Sequence, residues 1–313
     1  MKRETSQKSW VLAFLQGVSG AGIVFGPLLS ESVIAAPKPS EIGGLLSRSN
    51  DPSTELKKPS FLRYLNPITA QNSRDSEADR LSQEGFQLFQ QGTAESLRAA
   101  LQKWEAARQL YRAAGDKKNE ALTLLGMGRI NHDLGEKQKA LEFYNQALLL
   151  YRTLGDREGE AGTLSNIGHV YALWGENQKA LEFYNQALLL YRTLGDRARE
   201  PYILCYLGSL SVVLGENQKA LEFYNQALSL YRVLGDRQGE ATTLTGLNIV
   251  YTSLREYQKA LEYLNQALLL YRAVGDSQGE ATTLFFLGLT YDDLGEHQKA
   301  VEFYNQYRAL GGK

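Results

Sequence analysis

A segment of twenty residues, QKALEFYNQALLLYRTLGDR, occurs twice without a change, first from Gln138 and again from Gln178. The two copies are offset by forty residues, and closely related sequence continues at the same spacing in both directions. The equivalent alanines of the successive copies are Ala100, Ala140, Ala180, Ala220, Ala260 and Ala300. Self-similarity at such a period indicates stacked supersecondary units, because a unit of this size cannot bury its apolar face alone.

Each period contains the pattern of two helices. In the period from Asp196 to Gly235, apolar residues recur at steps of three and four on either side of Gly215. We call the first segment helix A and the second helix B. The recurring Gly-Asp dipeptide predicts a helix end followed by a helix start, since glycine tolerates the left-handed conformation and aspartate caps a helix. Pro201 occupies a register held by alanine elsewhere, which predicts a helix A that starts late, near Glu200, or is kinked.

Helix B is apolar around most of its circumference. In one copy, Ala180, Tyr184, Ala187 and Tyr191 form a stripe, which predicts a helix held between two neighbours. Glu142, Glu182 and Glu222 fall on the side predicted to face solvent. Positions 149, 189, 229 and 269 are equivalent in successive units and hold Leu, Leu, Ser and Leu. The single serine indicates a partly solvated position.

These residues resemble the tetratricopeptide repeat (TPR). In the period from Ala161, the signature positions are held by Leu164, Ile167, Gly168, Tyr171, Ala180, Tyr184 and Ala187. The usual closing proline is missing and helix B is longer, which resembles a forty-residue subclass found in exported bacterial, notably cyanobacterial, proteins. The resemblance implies an all-α fold, a right-handed α-solenoid of about six helix-turn-helix units, over residues 78–313. The units are expected near 78–115, 118–155, 158–195, 198–235, 238–275 and 278–313.

Two units depart from the pattern. The turn of the first unit, GTAESLRAA, is three residues longer than its counterparts, which predicts a longer loop. In the unit from Ala241, Asn248 replaces the glycine of helix A and Leu264 replaces the tyrosine of helix B. These two replacements predict looser packing there.

The resemblance implies that the A helices line a concave groove that holds extended peptides or partner helices. Helix B barely changes between units, whereas helix A changes greatly at the positions between the signature residues. The candidate groove residues are Arg129, His132, Ser165, Asn166, His169, Tyr206, Ser209, Thr245, Asn248, Phe285 and Asp292. Arg129, Tyr206 and Phe285 are the predicted anchors by residue type, although the two aromatic residues could instead pack between units. Neutral drift on an unimportant surface remains the alternative for all of them.

Composition argues against several other functions. The chain has 34 basic and 35 acidic residues, so no net field favours nucleic acid as a partner. Cys205 is the single cysteine and has no histidine in its own unit, which disfavours a Cys–His nucleophile. His132 and His169 are expected on neighbouring A helices and could approach each other, but two ligands alone are weak evidence for a metal. The sequence therefore predicts no enzyme, no metal and no cofactor.

The first 36 residues differ from the rest. A basic start is followed by an uncharged apolar run and by small residues before Ala36, which favours a cleaved secretory signal and an exported, periplasmic or extracellular protein. An uncleaved membrane anchor and a buried core helix remain alternatives, and the anchor would be the only contact with a membrane. Residues 37–77, rich in proline and serine, are predicted to be a linker.

Two functions are consistent with these patterns. The first is a non-catalytic scaffold that binds a protein or peptide in the groove. The second is a regulatory array separated from, or partnering, a caspase-like protease domain, because similar bacterial arrays precede such domains.

Overall fold

The computed structural model describes residues 76–311, and these form twelve α-helices and no strand. The A helices are α1 (Glu77–Gln91), α3 (Lys117–Asp133), α5 (Arg157–Leu173), α7 (Glu200–Val213), α9 (Arg237–Ser253) and α11 (Ser277–Asp293). The B helices are α2 (Ala94–Ala113), α4 (Lys137–Leu154), α6 (Asn177–Leu194), α8 (Asn217–Leu234), α10 (Tyr257–Val274) and α12 (His297–Gly311). The prediction of an all-α fold of about six helical hairpins is confirmed. The candidate leader and nearly all of the predicted linker lie outside the described residues.

The described helices belong to two compact units that divide between Asp196 and Arg197. The first unit contains α1 to α6 and the second contains α7 to α12, so that each holds three hairpins. Within each unit every helix packs against the next helix of the chain. Within each unit, loops of two or three residues make consecutive helices antiparallel neighbours. No helix among the described residues has the length and apolar character needed to span a membrane.

The Gly-Asp dipeptides end one helix and begin the next, as predicted. Gly155 closes α4 with a φ of 67°, which glycine adopts without steric cost. The carboxylate of Asp156 then accepts a hydrogen bond of 2.9 Å from the backbone N–H of Gly159 and caps α5. The same carboxylate cap recurs at α3, α9 and α11.

Helix α7 is the exception and starts one turn late. It begins at Glu200 and has 14 residues, where the other A helices after α1 have 17. Pro201 lies in its first turn, where a missing N–H removes no intrahelical hydrogen bond. The predicted late start is confirmed.

The B helices bury the alanine and tyrosine stripe that the sequence indicates. Ala180, Tyr184 and Ala187 are completely buried. The outer glutamates Glu142 and Glu182 are exposed, as predicted. The register of Leu189 is more solvated than expected, since Leu149, Leu189 and Leu269 are exposed by 67%, 66% and 67%.

The first hairpin corrects the prediction of a longer loop. Only Gly92 and Thr93 separate α1 from α2, so the three extra residues lengthen the start of α2 instead. Thr93 and Ser96 form a reciprocal capping box that stabilises this early start. Trp104 takes the place of the tyrosine of other B helices, and its indole N–H donates to the carbonyl of Ser82 at 2.9 Å.

The fifth hairpin, α9 and α10, carries the two replaced signature residues. Asn248 is 2% exposed and Leu264 is completely buried. Both substituted side chains therefore belong to the core of this hairpin.

Candidate functional site

A cluster of polar side chains joins α3 and α5 in the first unit. Arg129 Nε donates to both carboxylate oxygens of Asp133, at 2.8 and 3.0 Å. Nδ1 of His132 lies 3.0 Å from Oδ1 of the same carboxylate. The ring of His169 on α5 lies 5.2 Å from the ring of His132, between centroids. The structure thus brings Arg129, His132 and His169 together, as their registers suggested.

The electrostatics of this cluster follow from its partial burial. Burial opposes ionisation of Asp133, but the hydrogen bond from His132 and the charge of Arg129 outweigh it, so the pKa of Asp133 lies below its ordinary value. Burial lowers the pKa of His169 to about 3, with a smaller contribution from the positive charge of Arg129. The cluster therefore combines a charged Arg–Asp pair with a neutral imidazole at pH 7.

Ser165 and Asn166 extend the cluster along α5. They precede His169 by four and three residues, which places all three on one face of the helix. All three are half-buried, so their side chains are partly accessible while their positions are restricted. Five of the predicted groove residues therefore form one surface, which we call the α3–α5 polar surface: Arg129, His132, Ser165, Asn166 and His169.

Asp133 and Tyr184 also belong to this site. Asp133 occupies a variable position of helix A, as Arg129 and His132 do, whereas the sequence patterns select Tyr184 for packing alone. Asp133 orders both Arg129 and His132. The hydroxyl of Tyr184, on α6, lies 3.5 Å from Nδ1 of His169. The sequence predicts only a packing role for Tyr184, and the residue is indeed buried. The available signal was that His169 directly follows Gly168, whose backbone packs against the ring of Tyr184.

The prediction that four residues of the second unit line an accessible groove is corrected, because their side chains are buried. Tyr206, Ser209, Thr245 and Asn248 are exposed by 3%, 1%, 1% and 2%. The Ser209 hydroxyl donates to the carbonyl of Cys205 at 3.0 Å, and the Thr245 hydroxyl donates to that of Ala241 at 3.1 Å. Hydroxyls that bond back to their own helix can be buried without an unsatisfied donor. These four side chains therefore contribute to packing within the second unit.

Phe285 and Asp292, on α11, remain half-buried. Phe285 belongs to an aromatic group with Phe286, Tyr304 and Tyr307, with centroids 5.4 to 6.4 Å from its own. Asp292 accepts a hydrogen bond of 2.9 Å from the Tyr304 hydroxyl and lies 3.0 Å from Nδ1 of His297. These contacts tie both residues to α12, so Phe285 has the packing partners expected of a core residue.

Cys205 has the environment of a packing residue. It is 2% exposed, and burial raises the pKa of its thiol to about 12. Its sulfur lies 3.3 Å from the Thr243 hydroxyl. A thiol with such a pKa is protonated at neutral pH and is a poor nucleophile. Within residues 76–311, no group of three or more His, Cys, Asp or Glu side chains is arranged to hold a metal ion.

The repeat seen in these hairpins matches a known family. A family model described as Tetratricopeptide repeat matches residues 120–193, 199–273 and 249–311. The chain belongs to the tetratricopeptide repeat family. A search of curated proteins found no match.

Solved TPR-like structures share the fold at low identity. BtubC from P. vanneervenii is 23% identical, with a TM-score of 0.62 over 70% of this chain and 91% of that one. Aspartyl phosphate phosphatase F from Bacillus subtilis is 13% identical, with a TM-score of 0.60 over 92% and 77%. A Rap protein complexed with Competence and Sporulation Factor is 15% identical, with a TM-score of 0.54 over 75% and 78%. At these identities the similarity establishes the TPR fold alone.

Proposed function

We propose that this TPR protein is a non-catalytic protein–protein interaction scaffold that binds an extended peptide or helix on its α3–α5 polar surface. The observation that carries the proposal is the partial burial of five polar residues on two A helices, which the contact of His132 with His169 brings together. The A-helix candidates on α7 and α9 are buried, and Phe285 and Asp292 on α11 contact residues of α12. We therefore place the proposed contacts in the first unit.

The chemistry of the surface suits a polypeptide ligand. The Asn166 amide can both donate to and accept from a peptide backbone, and the Ser165 hydroxyl can do the same. Arg129 is held in place by Asp133, so little additional side-chain entropy is lost when a ligand packs against it. Arginine is one of the residue types enriched at binding hot spots.

The comparisons support this proposal only at the level of the fold. One protein with a similar fold was solved in complex with Competence and Sporulation Factor. We extend ligand binding to the present chain because of its polar surface. The alternative of a regulatory array that partners a caspase-like protease stays a prediction, since no contact among the described residues favours it.

We also propose that the protein acts outside the cytoplasm. The basic start, the apolar run and the small residues before Ala36 support a cleaved leader. A membrane anchor is the alternative. In either case the TPR hairpins would meet partners of the periplasm or the extracellular space.

The binding proposal can be tested before a natural partner is identified. Random dodecapeptides displayed on phage are selected against the protein that carries residues 37–313, and selected peptides are titrated by fluorescence polarisation. We expect Arg129→Ala and Asn166→Ala to weaken binding by about tenfold each, as for hot-spot residues that contribute more than 1 kcal/mol.

The matched control lies on the outer face of the neighbouring B helices. Glu142→Ala and Glu182→Ala remove exposed side chains and are expected to leave the affinity unchanged. If the glutamate variants abolish binding and the α3–α5 variants do not, the ligand binds the outer face of the B helices and the proposal is wrong.

A further inference from the structure

The His132 side chain is oriented like a metal ligand with its supporting carboxylate. Its Nδ1 lies 3.0 Å from Oδ1 of Asp133, an oxygen that also accepts from Arg129. A carboxylate at this position accepts the Nδ1 proton, which leaves a lone pair on Nε2. Carboxylate–histidine pairs of this kind fix the tautomer and orientation of histidines that bind metal ions.

The lone pair of His132 is directed into the protein. Nε2 of His132 is buried, and no group within residues 76–311 forms a hydrogen bond with it. A buried acceptor without a donor is costly, so such atoms call for an explanation. Nε2 of His169 is likewise shielded from solvent, and the two rings are neighbours.

The spacing of the two rings matches shared coordination of one ion. Two imidazoles that bind one tetrahedral Zn²⁺ through bonds of about 2.0–2.1 Å have ring centroids about 5 Å apart. The centroids of His132 and His169 are 5.2 Å apart, with an angle of 45° between the ring planes. We propose that His132 and His169 together bind one Zn²⁺ or a similar transition-metal ion.

The charges around the pair are compatible with a cation. The positive charge of Arg129 is offset by its contact with Asp133. No third metal ligand completes the site within the described residues, so we expect weaker binding than at structural zinc sites with four protein ligands.

The chain contains its own control. It has three histidines, and the third, His297, pairs with Asp292 at 3.0 Å much as His132 pairs with Asp133. His297 has no neighbouring histidine ring among the described contacts and is 77% exposed. His297→Gln therefore removes one histidine–carboxylate pair without affecting the proposed site.

The test uses the protein without a histidine tag and adds Zn²⁺ alone, with binding measured by isothermal titration calorimetry. We expect one Zn²⁺ per chain in the wild type and in His297→Gln. His132→Gln and His169→Gln should each weaken binding by about tenfold or more, and Asp133→Asn should weaken it by about 10–100-fold. Co²⁺ provides a second readout, since tetrahedral coordination produces intense visible absorption bands that both histidine variants should lose.

Circular dichroism separates loss of binding from loss of fold. If a glutamine variant unfolds, the Zn²⁺-dependent rise in melting temperature is compared between the wild type and the remaining folded variant. The proposal is overturned if the wild type binds no Zn²⁺, or if the folded His132 or His169 variant binds it as tightly as His297→Gln does.

Discussion

Gly128 lies so close to Tyr144 that a Cβ atom on the glycine would stand 2.5 Å from Cδ1 and Cε1 of the ring. The same pairing occurs between Gly168 and Tyr184, where the distance to Cδ1 would be 3.1 Å. A small residue of helix A and a large residue of helix B therefore fit each other within one hairpin. In the hairpin of α9 and α10 both residues of the pair are replaced. Asn248 stands at the position of the glycine and Leu264 at that of the tyrosine.

This relationship predicts that Asn248 and Leu264 are energetically coupled. Leu264→Tyr alone places a ring against Asn248 and should destabilise the protein by about 1–3 kcal/mol through overpacking. Adding Asn248→Gly should recover at least about 1 kcal/mol relative to the sum of the single changes. Urea unfolding of the four proteins measures this coupling, and additive single effects would contradict it.

Ala180 and Glu182 test the orientation of helix B. Ala180 is completely buried, so Ala180→Leu should cost about 1–3 kcal/mol or more. Glu182 is exposed, and Glu182→Ala should change stability by no more than about 0.5 kcal/mol. Equal melting temperatures for the two variants would be inconsistent with the buried face described above.

Arg255 should be a point of backbone strain. It has a φ of 61°, and it occupies the turn position that glycine holds in the hairpin before it, where Gly215 has a φ of 77°. The left-handed conformation is costly for a residue with a Cβ, so Arg255→Gly should stabilise the protein by up to about 1 kcal/mol. Gly215→Arg is the matched reverse change and should destabilise it. Melting temperatures that move in the same direction for both variants would refute this account.

His169 should make stability depend on pH. Its pKa is about 3 in the folded protein and about 6.5 in the unfolded chain, so between these values the unfolded state binds more protons. Stability attributable to this residue should therefore fall as the pH drops from about 6.5 towards 3, by at most about 1.4 kcal/mol per pH unit. Urea midpoints at pH 7, 6 and 5, measured with a chelator present, should change less for His169→Gln than for the wild type. Identical pH dependence in both proteins would rule out this contribution.

The leader prediction rests on residues outside the described part of the chain. Expression in a bacterium with a secretory pathway should yield mature protein that begins near Ala36, because the small residues before it suit a signal peptidase. N-terminal sequencing of the soluble fraction measures this directly. Soluble cytoplasmic protein that retains Met1 would show the segment to be neither signal nor anchor.

The helical framework was predictable because the signals that start and end each helix are local in the sequence. A glycine that ends a helix and an aspartate that caps the next depend on neighbouring backbone groups, and so does the late start at Pro201. The extension of α2 was not predictable from segment length, because Thr93 and Ser96 form a capping box inside a segment whose extra residues favour a longer loop.

The candidate site was harder to predict because burial depends on contacts between helices. Thr245 and Arg129 both occupy variable positions of an A helix, yet Thr245 is buried and Arg129 keeps part of its surface. In the second unit α7 contacts α9 and α9 contacts α11, and no single-helix pattern reports that proximity. The spacing of His132 and His169 likewise required the side-chain positions.

The duplicated segments from Gln138 and Gln178 have a consequence for how such a chain can evolve. They build α4 and α6 from almost the same residues, whereas the preceding helices α3 and α5 carry different polar side chains. A recombination event that slips by forty residues would join helices whose packing residues already match. Such an event can add or delete a hairpin with little disruption of the packing between helices. The pairing of His132 with His169, in contrast, exists only where these two particular A helices are neighbours.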